Sequence, residues 1–284
     1  MSDSLRIDAH HHLWKIGKYD YPWIEPASVL DRDFGPAELA PMLARHGIDR
    51  SILVQTIASL DETRWFLDLA AAHSWIAGVV GWVDLTAADV PATLDDLIAR
   101  HGHRLVGIRH NLHDEPDDRW ILRDDVGRSL AAVEARGLAY DLLIRPRHLP
   151  VVLELLRRQP ELRVVIDHAA KPAIAQRRFD DWAAPLAAIA KHKHVYCKLS
   201  GLVTEADHEH WQPANLRPFV EHVLNAFGPA RVMFGSDWPV CLLAGTYDRV
   251  VAALEQNIGQ LSTSEQAEVF GRTAAEFYRL NGRE

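Results

Sequence analysis

Three short stretches gather the side chains best suited to hold a cation or move a proton. They are Asp8-Ala9-His10-His11-His12 near the start, Asp167-His168 in the middle and Gly235-Ser236-Asp237-Trp238-Pro239 near the end. Imidazole is the commonest metal ligand and the usual acid–base group near neutral pH, and this chain carries 16 histidines. Side chains alternate along an extended segment, so His10 and His12 share one face and His11 turns to the other. Three imidazoles and one carboxylate make a single tetrahedral donor set that suits zinc, and a water activated beside a free carboxylate is a workable nucleophile. The reading is that His10, His12, His168 and Asp237 converge, while His11 is a structural, hydrogen-bonded residue.

Convergence requires elements that bring positions 10, 168 and 237 together. Eight β-branched, apolar runs recur at residues 5–12, 51–57, 76–85, 105–112, 138–144, 163–169, 195–201 and 231–240. They are nearly continuous rather than alternating, as strands buried on both faces of a parallel sheet are. Ala/Leu-rich segments of helical spacing lie between them, among them 38–43, 92–100, 129–136, 149–158, 182–191 and 216–227. Eight βα units with no dinucleotide-type GxGxxG after the first strand predict an α/β fold, one (β/α)8 TIM barrel over residues 1–284. An extra C-terminal helix over 262–280 opens with the capping box Ser262-Thr263-Ser264-Glu265, and a loop holding Tyr21-Pro22-Trp23 is expected to cap the barrel.

In such a barrel chemistry sits at the C-terminal ends of the strands, and all three stretches fall there. The other strand ends supply Gln55, Trp82 and Asp84, Arg109 and His110, Asp141, and Lys198 with Ser200. Arg109 or His110 could hold a carboxylate or polarise a carbonyl. Trp14 and Trp82 could stack on a ring, and Lys171 and Trp238 stand where a mouth would contact substrate. The duller alternatives are that Asp84 caps a helix, Asp141 pairs with a buried arginine, Trp82 is core and Lys171 is surface.

Composition removes other classes. With 48% hydrophobic and 25% charged residues the chain is an ordinary globular one, and 31 Lys+Arg against 39 Asp+Glu give a net charge of −8 with no basic run for nucleic acid. No long apolar span or export signal is read, so a cytoplasmic protein without a membrane partner is expected. Cys197 and Cys241, with no CxxC spacing, read as buried thiols.

The order of these motifs resembles the amidohydrolase superfamily over nearly the whole chain. It rests on Asp8 to His12, the Tyr21-Pro22-Trp23-Ile24 loop, Val80 to Leu85, Gly107 to His110, Asp167 to Pro172, Cys197 to Leu202 and Phe234 to Val240. The similarity is greatest to the branch of TIM-barrel hydrolases that includes the L-fuconolactonase and L-rhamnonolactonase types. It implies a small sugar lactone as substrate, Asp237 as the base that activates water, and His10, His12 and His168 as ligands of one divalent ion or as direct donors in a metal-independent site. Two-metal members carry a bridging lysine at the end of strand 4, where this chain has Arg109 and His110, so a binuclear centre is not expected. The competing readings are a decarboxylase of an aromatic or unsaturated acid and a catalytically silent barrel that binds sugar acids.

Overall fold

The structure, a computed structural model, describes residues 5–280; the opening Met1 to Ser4, part of the segment read above for an export signal, lies outside them. Eight strands follow one another around a single sheet in sequence order, every neighbour parallel. They are β1 (Ile7–His11), β2 (Arg50–Val54), β3 (Ile76–Gly81), β4 (Leu105–His110), β5 (Ala139–Leu142), β6 (Val164–Ile166), β7 (Val195–Leu199) and β8 (Val232–Phe234). The ring closes where His12 N donates to Trp238 O at 2.7 Å and Asp237 N to His10 O at 2.8 Å. The fold is therefore the expected TIM barrel.

The surrounding helices are α1 (Pro36–Arg45), α2 (Leu60–Ala72), α3 (Val90–His101), α4 (Asp124–Ala135), α5 (Leu149–Arg158), α6 (Asp180–Ala190), α7 (Pro213–Phe227) and α8 (Tyr247–Asn257). Helix α5 shows why these segments coil. Leu149, Val152, Leu155 and Leu156 recur at spacings of three and four and are buried, Pro150 sits in the first turn where its missing N–H costs nothing, and Arg157 and Arg158 occupy the last turn. The C-terminal segment is a composite: α9 (Thr263–Ala267) opens on the predicted capping box, a π-helical turn (Glu268–Arg272) follows, and α10 (Thr273–Phe277) ends it.

The barrel interior has two layers of opposite character. Toward the N-terminal ends of the strands, Ile7, Ala9, Ile52, Val54, Val80, Val106, Ala139, Val165 and Met233 pack with Ala274, Ala275, Phe277, Tyr278 and Leu280, so the tail closes the floor. Above them His10, Arg109, Asp141, Asp167 and Lys198 are buried. Two register shifts aim this upper layer. An extra residue in β1 between Asp8 and His11, and one in β4 across Leu105 to Gly107, leave Ile7, Ala9 and Val106 in the floor yet turn His10 and Arg109 to the same interior.

Candidate active site

His10, His168 and Asp237 each offer a ligand atom within 4.8 Å of the others. His12 completes the group, its Nε2 lying 3.2 Å from His10 Nε2 and 3.4 Å from Asp237 Oδ1. Asp237 Oδ1 also lies 3.8 Å from His10 Nε2 and 3.9 Å from His168 Nε2. The outward nitrogens are engaged elsewhere. His12 Nδ1 meets Val54 O at 2.8 Å, His168 Nδ1 meets Ser200 Oγ at 2.8 Å, and His10 Nδ1 stands 3.4 Å from Asp167 Oδ1. With the Nδ1 protons directed outward, the Nε2 lone pairs converge on one carboxylate oxygen, an arrangement that a shared cation or proton would neutralise. Ligands about 2.0–2.1 Å from a tetrahedral ion lie roughly 3.3 Å apart, so the two shortest spacings, the donor types and the outer partners fit a single divalent ion.

Burial decides the protonation states. It drives His10, His12 and His168 below the ordinary imidazole value, leaving them neutral at pH 7. For Asp237 burial works the other way and would raise the carboxyl, yet the neighbouring His168 and His12 hold it below its ordinary value, so it is ionised. His11 sits outside the group, Nε2 2.9 Å from Ser51 Oγ and its ring near Trp75.

Two glycines and five left-handed residues accompany the close approach. A Cβ on Gly235 would lie 2.5 Å from His10 Cβ, and one on Gly201 would lie 2.5 Å from His168 Nδ1 and 2.9 Å from Asp237 Oδ2. Asp237 has φ 57°, and His168 to Lys171 all have positive φ, each costing roughly 1–2 kcal/mol in a non-glycine residue. The buried Ala169 and Ala170 and the 2.6 Å bond from Trp182 Nε1 to Ala169 O hold that run in place.

Beneath the imidazoles lies a charge network. Arg109 Nη1 donates to Asp167 Oδ2 at 2.9 Å and lies 3.3 Å from His10 Nε2, while its Nη2 donates to Gln55 O. Lys198 Nζ donates to Asp141 Oδ2 at 2.6 Å, contacts Asp167 Oδ1 at 3.0 Å and lies 3.2 Å from His10 Nδ1. Two carboxylates are thus matched by two cations, as burial of so much charge demands. The buried partner of Asp141 is Lys198, not the arginine expected of it.

A cavity of about 280 Å³ opens above, lined by His12, Trp23, Thr56, Arg109, Asn111, His113, Asp114, Leu143, His168, Lys171, Asp237 and Val240. Lys171 lines it while its Nζ bonds Glu205 Oε1 at 2.9 Å. The structure does not bring His110, Trp14, Trp82 or Trp238 to this cavity. His110 stacks on Trp120 at 4.0 Å, bonds Glu115 at 2.7 Å and accepts from Trp82 Nε1 at 3.1 Å, which engages both residues of that pair with each other. Trp14 is buried, donating to Leu30 O and Arg32 O, and Trp238 is buried edge-on against Phe34. The tryptophan that does line the cavity is Trp23, 38% exposed on the loop that holds Tyr21-Pro22-Trp23. Asn111, His113 and Asp114, unremarked in the sequence reading, follow Arg109 and His110 directly, and the continuation of that strand end past its last apolar residue was the available signal.

Residues 7–280 match the model of the amidohydrolase family, and the chain belongs to that family. An L-fucono-1,5-lactonase of Burkholderia ambifaria is 44% identical over 98% of this chain and 97% of its own. An L-fucono-1,5-lactonase of Burkholderia multivorans is 42% identical over the same shares. A crystal structure of a Burkholderia multivorans amidohydrolase with bound zinc superposes with a TM-score of 0.89 at 42% identity, covering 97% of this chain and 99% of the other. Among the described residues no helix is long and apolar enough to cross a membrane.

Proposed function

We propose that this protein, residues 1–284 acting as one catalytic domain, opens the ring ester of an aldonolactone, with L-fucono-1,5-lactone the first candidate and L-rhamnonolactone a close one. The observation that carries the reading is the Asp237 carboxylate on the wall of a cavity of about 280 Å³, with the Nε2 atoms of His10, His12 and His168 3.4–3.9 Å from its Oδ1. The curated relatives of near full length support the substrate class.

In this mechanism the lactone carbonyl lies in the cavity beside Arg109. Asp237 removes a proton from water as the oxygen attacks the carbonyl carbon. The resulting oxyanion is met by Arg109, whose Nε–H is buried without a protein partner. The ring C–O bond then breaks, and Asp237 returns the proton to the departing alkoxide, leaving the open sugar acid. His113, with a buried Nδ1 that also lacks a protein partner, and Asn111, Thr56 and Lys171 bind hydroxyl groups. A divalent ion held by His10, His12, His168 and Asp237, zinc by its donor set, would supply Lewis-acid polarisation of the carbonyl. Cys197 and Cys241 are free, buried thiols, which accords with a cytoplasmic enzyme.

A panel of L- and D-aldonolactones in weak buffer tests the assignment by acid release. Deoxy-sugar lactones are expected among the fastest, and a long-chain acyl lactone slow, since a cavity of about 280 Å³ leaves little room for the chain. Preference for the acyl lactone, or carbon dioxide release from an aromatic acid without lactone turnover, would overturn it.

A further inference from the structure

The C-terminal tail does more than close the floor. Tyr278 follows α10, is fully buried, and its hydroxyl donates to Asp141 Oδ2 at 2.7 Å from below. Asp141 Oδ2 is also the acceptor of Lys198 Nζ at 2.6 Å, and Asp141 Oδ1 has no partner. Lys198 in turn is shared, since its Nζ lies 3.0 Å from Asp167 Oδ1 and 3.2 Å from His10 Nδ1. Asp167 is the carboxylate that also holds Arg109 Nη1 at 2.9 Å. One hydroxyl on the floor is thus three contacts from His10 and four from Arg109.

The physical consequence follows from the sharing. Two buried carboxylates compete for one ammonium, and a hydroxyl bonded to one of them spreads part of its charge and weakens its pull. Burial keeps the Tyr278 phenol protonated, so it is a permanent donor. Without it, Asp141 draws Lys198 to itself, Asp167 loses its share of the ammonium, and the imidazole and guanidinium resting on Asp167 lose their fixed positions.

We propose that Tyr278 is a positioning residue for the active site, acting through Asp141 and Lys198 to fix His10 and Arg109. The inference rests on the lactonase reading for its kinetic test only. Tyr278→Phe keeps the ring and removes the donor. With the best aldonolactone, kcat is expected to fall about 10-fold while KM stays within about 2-fold, the size typical of a lost outer partner. Tyr196→Phe removes another floor hydroxyl, beside Phe277 with ring centroids 4.7 Å apart and without a bond to Asp141, and is expected to leave kcat unchanged. In an Asp141→Asn background the Tyr278→Phe effect should vanish, because the hydroxyl acts only through that carboxylate.

A readout independent of turnover is the ¹⁵N spectrum of the histidine rings in the unliganded protein, with His10 assigned by its loss in His10→Asn. Tyr278→Phe should move the His10 signals and leave those of the outward His11 in place. Unchanged kcat with unchanged His10 signals would overturn the positioning role, and so would equal losses in the Tyr196→Phe control. If the wild-type protein hydrolyses no lactone, the functional reading fails instead, and the ring signals alone decide for or against Tyr278.

Discussion

The two ends of this barrel are built from the same eight strands and differ in almost everything else. The floor is apolar, assembled from Ile, Val, Ala and Met side chains and closed by the tail. The mouth carries left-handed residues at Asp237 and at His168 to Lys171, and brings three imidazole nitrogens within 4 Å of one carboxylate oxygen. Close packing stabilises a fold, whereas converging lone pairs and strained backbone work against it. Within the barrel interior the apolar packing therefore lies at the end where no chemistry occurs, and the mouth keeps an unfavourable arrangement because the floor and the strand–helix core around it hold it. Tyr278 is the point where the two ends touch, its ring in the floor and its hydroxyl on the charge network.

The largest test of this contrast is at Gly201. A side chain there clashes with His168 and Asp237 at a φ of +59°, so Gly201→Val should lower kcat/KM by about two orders of magnitude or more while far-UV circular dichroism keeps the barrel signature. Loss of the fold itself would show that the mouth, too, carries the stability.

The mirror experiment is in the floor. Val165 is fully buried there, and Val165→Ala should cost roughly 1–3 kcal/mol in denaturant unfolding through the cavity it leaves. Turnover per folded molecule should change less than about 3-fold. A large loss of turnover at unchanged stability would erase the distinction.

A smaller effect lies at the loop that carries Thr56 to the cavity. Glu62 is buried and accepts from Thr56 N at 2.8 Å, Ile57 N at 3.2 Å and the Thr56 hydroxyl. Burial raises its carboxyl to about 7, against the opposing pull of those bonds. A carboxyl raised on folding favours the folded state fully at acid pH and loses that contribution as pH rises through its folded value. Wild-type stability should accordingly fall by about 1–3 kcal/mol between pH 4.5 and 7.5, and Glu62→Gln should flatten that slope. An equal slope in the variant would place the pH dependence elsewhere.

The same contrast explains what could be read from sequence. Strand runs and their order follow from hydrophobicity, so the barrel and the placing of His10, His12, His168 and Asp237 at strand ends were legible. Alternation gave the pairing of His10 with His12, but which face pointed inward depended on the extra residue in β1, and nothing in Ile7 to His12 announces a bulge. Unbroken alternation from Ile7 and Ala9 would have turned His11 inward instead. The tryptophans misled for a different reason. An indole is as good at filling a gap between loops as at stacking on a ligand, and Trp14 and Trp238 do the former. Lys198 and Asp141 are legible as strand-end residues, but the hydrogen bond that ties Asp141 to Tyr278 spans 137 residues and has no local signature.

The most direct test of the account is the rate of aldonolactone hydrolysis by Asp237→Asn, with His11→Ala as the companion. The substitution keeps the size of the side chain and removes the base, so turnover should fall by about two orders of magnitude or more with the thermal transition preserved. His11→Ala, altering a ring bonded to Ser51 outside the cluster, should stay within about 3-fold of wild type. Near wild-type hydrolysis by Asp237→Asn would contradict the assignment of Asp237 as the base and with it the proposed chemistry of the site.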